Sequence, residues 1–595
     1  MASHSPLTAL PDELLLEILS YLPSETLIAF QFTCKRGFAL AREDILWRNL
    51  CLSRFKYWHP RHKIENRLLA PITETVWRDA FKLRCLQNKF TTETLKSMLS
   101  SQQGRIHKVE SILYLGEDAR ETLLEFCNAA DDVEDVLARR YYGNAVLGAT
   151  RRQAAVEAWM KLDLDDDDCL EDMLIAYDTF VLGTRDTDGK YIRSTLDQLA
   201  SGFLSEKSID RETFDDIPTA EKARDLLQFL WAKGFRGVRD ERNYGSLEHS
   251  FIGVTLQDPE HNSLPLTSVA IYCCVARRLG IDAYPLAGFP FHVYGAIHLP
   301  EVKRSSEYTP KDDIANDLMF IDPFRSPEPV PEQDIRAQLR HVGVATSEQN
   351  VIMRNRSILD LGYRIGINIT RAVQNTRRAA QNPLHPSVEV DSIVDQESAF
   401  YCALWAMLFF FDGPEDTVAM ERKRVLPYFL EEFQTHFPWD ASLLRNHVSP
   451  LFQGRPEHYV LLQLVSALRT RDEKAPNVIR RDETTTGVKY YVGQLFRHKR
   501  YGYEGVITGW DPCCSANDEW VQQMQIDNLP GGRTQSFYHI LADDRSVRYV
   551  AEENIELIDQ EPSKSLMAIA GRQFKRWDKD RKVFVSNIRD EYPDD

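Results

Sequence analysis

Near the start of the chain, apolar residues recur at helical spacing. Leu14, Leu15, Ile18, Leu19 and Leu22 make one broad apolar face. Pro11 suits a first helical turn, where its missing N–H costs nothing, and Asp12 and Glu13 complement the positive helix end. Pro23 ends that helix, and Ser24 is placed to cap a second one carrying Leu27, Ile28 and Phe30. A third short helix is expected to end in Ile45-Leu46-Trp47. So short a segment cannot bury this much leucine by itself, and a partner is expected to cover it.

Helical patterning continues through Phe55-Lys56-Tyr57-Trp58, Val76 to Phe81, Ile112 to Leu115 and Thr122 to Phe126. Pro265 opens an almost wholly apolar helix that Gly280 closes, and strand-like runs follow at Tyr284 to Gly288 and Leu318 to Ile321. From Ile358 to Arg471 the pattern is helical again, with a buried helix over Phe400 to Phe411 and no fixed repeat. Past a polar linker at Arg480 to Thr486 the texture changes. Tyr490 to His498 alternates as a half-buried strand does, and short strands with Gly and Asp turns continue to Ile555, which suggests a small barrel.

The first stretch closely resembles an F-box. Leu10-Pro11, Glu13, Leu14, Ile18-Leu19, Leu22, Cys34-Lys35 and Leu46-Trp47 fill its positions in order. The resemblance implies docking on a Skp-family adaptor and, through it, on a cullin. Leu10, Pro11, Leu14, Ile18, Leu19, Leu22, Leu46 and Trp47 would then face the adaptor.

Composition narrows the classes. At 595 residues several domains are expected. A formal charge of −17 argues against general affinity for nucleic acid or anionic membrane. The 10 cysteines form no CxxC, so neither a zinc module nor a disulfide framework is expected, and no metal or cofactor is called for. No signal peptide opens the chain, and the apolar run Ala399 to Phe411 falls short of the ~20 residues that span a bilayer. The expected compartment is cytosol, nucleus or both. The acidic run Asp163 to Asp168 lacks the glycine and closing Glu of a calcium loop and reads as a solvated turn.

In the middle, a helix start, His292 and Asp322 follow the order in which a papain-like site is assembled: a helix dipole lowers a thiol pKa, a His takes its proton and an Asp orients the ring. This segment looks like a transglutaminase-like domain of bacterial proteins with a helical extension. His292 and Asp322 match its second and third triad positions, and Arg278-Leu279-Gly280-Ile281 its helix exit. The nucleophile departs from the pattern, since Thr267 or Ser268 stands where a Cys belongs. Cys273 and Cys274 lie roughly 8–14 Å along the helix, at about 1.5 Å per residue. Thr267, His292 and Asp322 therefore read as a degenerate triad, retained as a structural pair or as a binding cleft.

The C-terminal strings closely resemble the YccV-like (HspQ, or hemimethylated-DNA-binding) domain. They are Val492-Gly493-Gln494, Arg497 to Ile507, Gly509-Trp510-Asp511, Phe537 to Leu541 and Tyr549 to Asn554. The family name implies DNA contact, for which Arg497, His498, Lys499, Arg500, Tyr501, Tyr503 and Trp510 are the candidates. Yet residues 488–558 carry 7 Lys and Arg against 10 Asp and Glu, while a DNA surface needs a basic face. Protein recognition is the favoured reading.

The expectation is a multidomain α+β chain: an F-box of three helices at 7–52, a helical linker at 53–104, and a papain- or transglutaminase-like domain at 105–330. A helical extension at 331–480, a small β-barrel at 484–560 and a tail at 561–595 complete it. The expected function is a non-catalytic substrate receptor of a Skp–cullin–F-box (SCF) ubiquitin ligase that recruits an unidentified protein for degradation. The alternatives are a DNA-binding protein and a transglutaminase-like hydrolase or transferase.

Overall fold

A computed structural model describes residues 10–163, 169–182, 189–239, 244–300, 317–380, 393–482, 485, 487–587 and 591–595. The acidic run lies, after Asp163, outside the described residues. The chain divides into two compact units. One combines Met1–Thr150 with Tyr459–Asp595, and the other is Arg151–His458. No described helix is long and apolar enough to cross a membrane.

The first unit opens with four helices rather than three: Asp12–Ser20, Ser24–Phe30, Lys35–Leu40 and Asp44–Arg54. Pro23, not Ser24, sits at the second N-cap, and Ser24 is buried as the first helical residue. Ile45-Leu46-Trp47 begins the fourth helix instead of ending a third, because Glu43 and Asp44 open a new first turn there. Leu15, Leu19, Leu27, Leu40 and Leu46 form the core of this bundle. Residues 55–59 are not helical, contrary to their sequence pattern. Phe55 instead packs with Trp47, Cys51, Trp77 and Phe81 in a second small core that joins the bundle to the helix Trp77–Ser100.

One buried carboxylate ties the segments beyond this bundle together. Asp118 accepts hydrogen bonds from His62 Nε2 at 2.8 Å, His59 N at 3.0 Å, Arg61 at 3.0 Å and Gln87 Nε2 at 3.0 Å. Arg84, with no exposed surface, donates to the Asp118 carbonyl at 2.5 Å and to Glu121 at 2.9 Å. Burial alone would raise the Asp118 pKa, but the bonds from His62 and the His59 N–H, with the Arg84 charge, hold it well below the ordinary range.

The second unit is mostly helical around a three-stranded antiparallel sheet, β1 (Ala283–Pro285), β2 (Gly295–His298) and β3 (Leu318–Ile321), in the order β1-β2-β3. The helix Pro265–Arg278 lies against it, buried from Pro265 to Ala276, and Gly280 at φ +77 makes the stop the sequence predicts. Helices Glu332–His341, Thr346–Ile352, Ile358–Ala380, Gln396–Phe409 and Glu415–His436 follow. Tyr401 and Trp405 are fully buried in the fourth of these.

Back in the first unit, the C-terminal domain is a five-stranded antiparallel sheet: β4 (Leu495–His498), β5 (Glu504–Asp511), β6 (Phe537–Ala542), β7 (Val547–Ala551) and β8 (Ile555–Leu557), ordered β7-β6-β5-β4-β8. A hairpin of β9 (Phe574–Asp578) and β10 (Val583–Ser586) follows a helix at Lys564–Ala570. The stretch 561–595, read from the sequence as a tail, puts Leu566, Ala570, Phe574, Phe584 and Tyr592 into the same core as Val506, Trp510 and Tyr538. Ala129, Val136 and Leu137 share that core, so residues near 105–150 pack here, whereas the sequence assigned them to the middle domain.

Candidate functional site

The eight residues expected at an adaptor face divide sharply. Leu14 is 52% exposed and Ile18 44%, and Pro11 is exposed beside them. Leu10 and Leu22 are half-buried. Leu19, Leu46 and Trp47 are buried within the chain's own cores and do not face outward. The Trp47 indole N–H donates to the Ala41 carbonyl at 2.8 Å, and its ring meets Phe81 edge-on at 5.3 Å. These three side chains support the face from behind. Other large apolar side chains of the bundle are exposed as well: Tyr21 and Phe32, each 78%, with Ile28 and Phe38.

In the middle domain His292 lies in the loop before β2, not on a strand, and Asp322 directly follows β3. Antiparallel pairing of β2 with β3 brings them together, with His292 Nε2 2.9 Å from Asp322 Oδ2, both buried. Asp322 Oδ1 is buried without a hydrogen-bond partner. Tyr294 packs edge-on against the imidazole at 4.7 Å. The loop is held by Arg364, on the helix Ile358–Ala380, which donates to the carbonyls of Ala287, Phe289 and His292. Nothing in the sequence marks Arg364, because its partners are backbone oxygens some seventy residues away.

Thr267, at the helix start, is 1% exposed, and its hydroxyl donates to the His249 carbonyl at 3.0 Å. Ser268 shares a hydrogen bond with Ser263 at 2.7 Å. Both hydroxyls are thus engaged away from the His–Asp pair. Burial pushes the Cys273 thiol up to about 12 and raises Cys274 further, the opposite of what a thiolate nucleophile requires.

The seven C-terminal candidates also separate. Arg497 is exposed on β4 and pairs with Glu504, directly opposite on β5, at 2.7 Å. Lys499 donates to the Glu553 carbonyl at 2.8 Å. His498 is buried, its Nδ1 accepting from the Arg500 and Tyr501 N–H groups. Trp510 is fully buried and donates to Asp595 at 3.1 Å, so it presents no face for a base to stack on. Tyr503 is half-buried under the Arg548 guanidinium at 3.8 Å. Arg497, Lys499, Arg500 and Tyr501 are the exposed members of the set, the first two with their cationic groups already bonded within the domain.

Comparison with known proteins agrees with this architecture. Residues 7–53 match the F-box-like family, 190–360 the transglutaminase-like superfamily, and 488–581 the family described as hemimethylated DNA-binding protein YccV like. The three domain matches follow one another along the chain in this order. The chain is similar along its whole length to F-box only protein 21 of Homo sapiens, 23% identical over 100% of this chain and 93% of the human protein. The Mus musculus protein of that name is 27% identical over 56% of this chain and 49% of its own. An F-box/kelch-repeat protein of Arabidopsis thaliana is 34% identical over 18% of each chain. No solved structure matches.

Proposed function

We propose that this chain is the substrate-receptor subunit of an SCF-type ubiquitin ligase, working in cytosol or nucleus. Its F-box would dock on a Skp-family adaptor and through it on a cullin, and its remaining domains would select a protein for ubiquitination and proteasomal degradation. The observation that carries the reading is the exposed apolar row Leu14, Ile18 and Tyr21, at helical spacing on a bundle whose own core is already filled. Water-facing leucine and isoleucine beside a complete core fit a surface that a partner covers.

The expected result is that Leu14→Asp with Ile18→Asp abolishes recovery of adaptor and cullin from cells. Each lost anchor should cost over ~1 kcal/mol of binding, with the fold unchanged. Undiminished recovery by the folded double variant would overturn the proposal.

The transglutaminase-like domain enters this reading as a non-catalytic scaffold. Both hydroxyls at the helix start are engaged elsewhere, and neither cysteine carries thiolate character. His292→Ala should then lower stability by ~1–3 kcal/mol, since Asp322 would lose its one ring partner while buried. Thermal melting checks this. His292-dependent acylation of Thr267 or Ser268 by an electrophilic acyl probe would refute it.

A further inference from the structure

We propose that Glu397, Glu432 and His436 form a binding site for one divalent cation of the zinc type, with water completing its coordination. Glu432 and His436 stand four residues apart on the helix Glu415–His436, so both project from one face. Glu397 lies in the first turn of the helix Gln396–Phe409, packed alongside. The three donor atoms all lie within 4.8 Å of one another. His436 Nε2 is 3.7 Å from Glu432 Oε2 and 3.9 Å from Glu397 Oε2. Zinc takes such oxygens and nitrogens at about 2.0–2.2 Å, so closing on the ion requires donor movements of roughly 1 Å, within the range of side-chain torsions.

A second observation points to a ligand. Glu432 is only 8% exposed, and its Oε2, facing His436, is buried without a hydrogen-bond partner. An unbonded carboxylate oxygen in that position is costly unless a cation or a proton meets it. Arg377 satisfies only part of the charge. It bonds Glu397 at 2.5 Å and reaches the other oxygen of Glu432 at 3.5 Å. Two carboxylates and one guanidinium leave one negative charge over.

The donor set selects among cations. Calcium requires 6–8 oxygens, whereas two carboxylates and an imidazole suit a borderline transition ion. The charged groups bearing on Glu432 are Glu397, Arg377, Glu431 and His436. Glu397 comes from a different helix than Glu432 and His436, and one Glu–His pair at i,i+4 is too common a spacing to signal a site, so no metal is expected from the sequence alone.

The test uses the full chain stripped of metal by a chelator, then titrated with Co2+ as a spectroscopic probe and Zn2+ for stoichiometry. One ion per chain is expected, with a visible cobalt band and no thiolate-to-cobalt absorption. Glu432→Gln and His436→Gln should each weaken binding at least about tenfold. Replacing Cys513 and Cys514 by Ser should leave it unchanged. Variants that bind cobalt like the parent, a thiolate band, or no bound ion would overturn the proposal. X-ray absorption at the zinc edge of the parent chain gives a readout independent of variant folding: a shell of oxygen and nitrogen supports the site, and sulfur refutes it.

Discussion

Trp47→Ala should destabilise the N-terminal bundle by about 3–5 kcal/mol, the range for truncating a large buried aromatic. The indole fills a core with Phe55, Trp77 and Phe81, and its N–H meets the Ala41 carbonyl. Hydrogen exchange in the helix Asp44–Arg54 would accelerate accordingly, because the cavity opens on that helix. Adaptor recovery would fall as well, but as a consequence of unfolding. The contrast with Leu14→Asp is diagnostic, since Leu14 is exposed and its replacement should leave exchange rates within a small factor of the parent. If Trp47→Ala lost the adaptor with exchange unchanged, Trp47 would be a contact residue after all.

The second large effect is expected at Asp118. Replacing it by Ala strips a partner from His62, Arg61 and Gln87 at once and leaves the Arg84 guanidinium with less countercharge in a site without solvent. Removing one member of such a buried ionic network costs about 3–5 kcal/mol. The same carboxylate gives a pH dependence of known sign. Its folded pKa lies below the ordinary 3.8, so the folded state binds its proton less readily than the unfolded one. The stability it contributes is fully present above pH 3.8 and is lost as pH falls below that through the folded value. Urea midpoints of parent and Asp118→Ala measured down an acid series should therefore converge at low pH. A gap that stayed constant would mean that the loss is one of packing rather than charge.

Legibility in the sequence followed the range of the forces. The leucine-rich helices could be read because their spacing is local, yet Leu14 and Leu15 are neighbours with opposite fates, exposed and buried. Only the packing of distant Phe81 and Trp77 decides that Trp47 turns inward. The helix Pro265–Arg278 was legible from its proline start, apolar body and glycine stop. The His292–Asp322 pair was legible as an order of residues, but the loop position of His292 and the Arg364 clamp were not, since backbone carbonyls leave no mark in a sequence. In the C-terminal domain alternation revealed β4, and short strand-like runs between Gly and Asp turns revealed the strands after it. The charged texture of 561–595 hid Phe574, Phe584 and Tyr592, which fill the core from widely spaced positions.

The first unit is built from both ends of the chain, and this bears on its synthesis. Gly104 N bonds the Asp472 carbonyl at 2.9 Å, Arg469 pairs with Glu110 at 2.6 Å, and the Tyr142 hydroxyl donates to the Arg572 carbonyl at 2.9 Å. A ribosome adding ~5–20 residues per second would need tens of seconds to bridge the residues between these partners. Through that interval Val136 and Leu137 emerge without the strands that complete their core and Tyr142 without its Arg572 partner, and the loop to be closed is long. The N-terminal segment of the nascent chain thus carries apolar surface that stays uncovered until the C-terminal segment is made. A premature stop before residue 459 would leave the first unit without its C-terminal segment, and so impossible to complete.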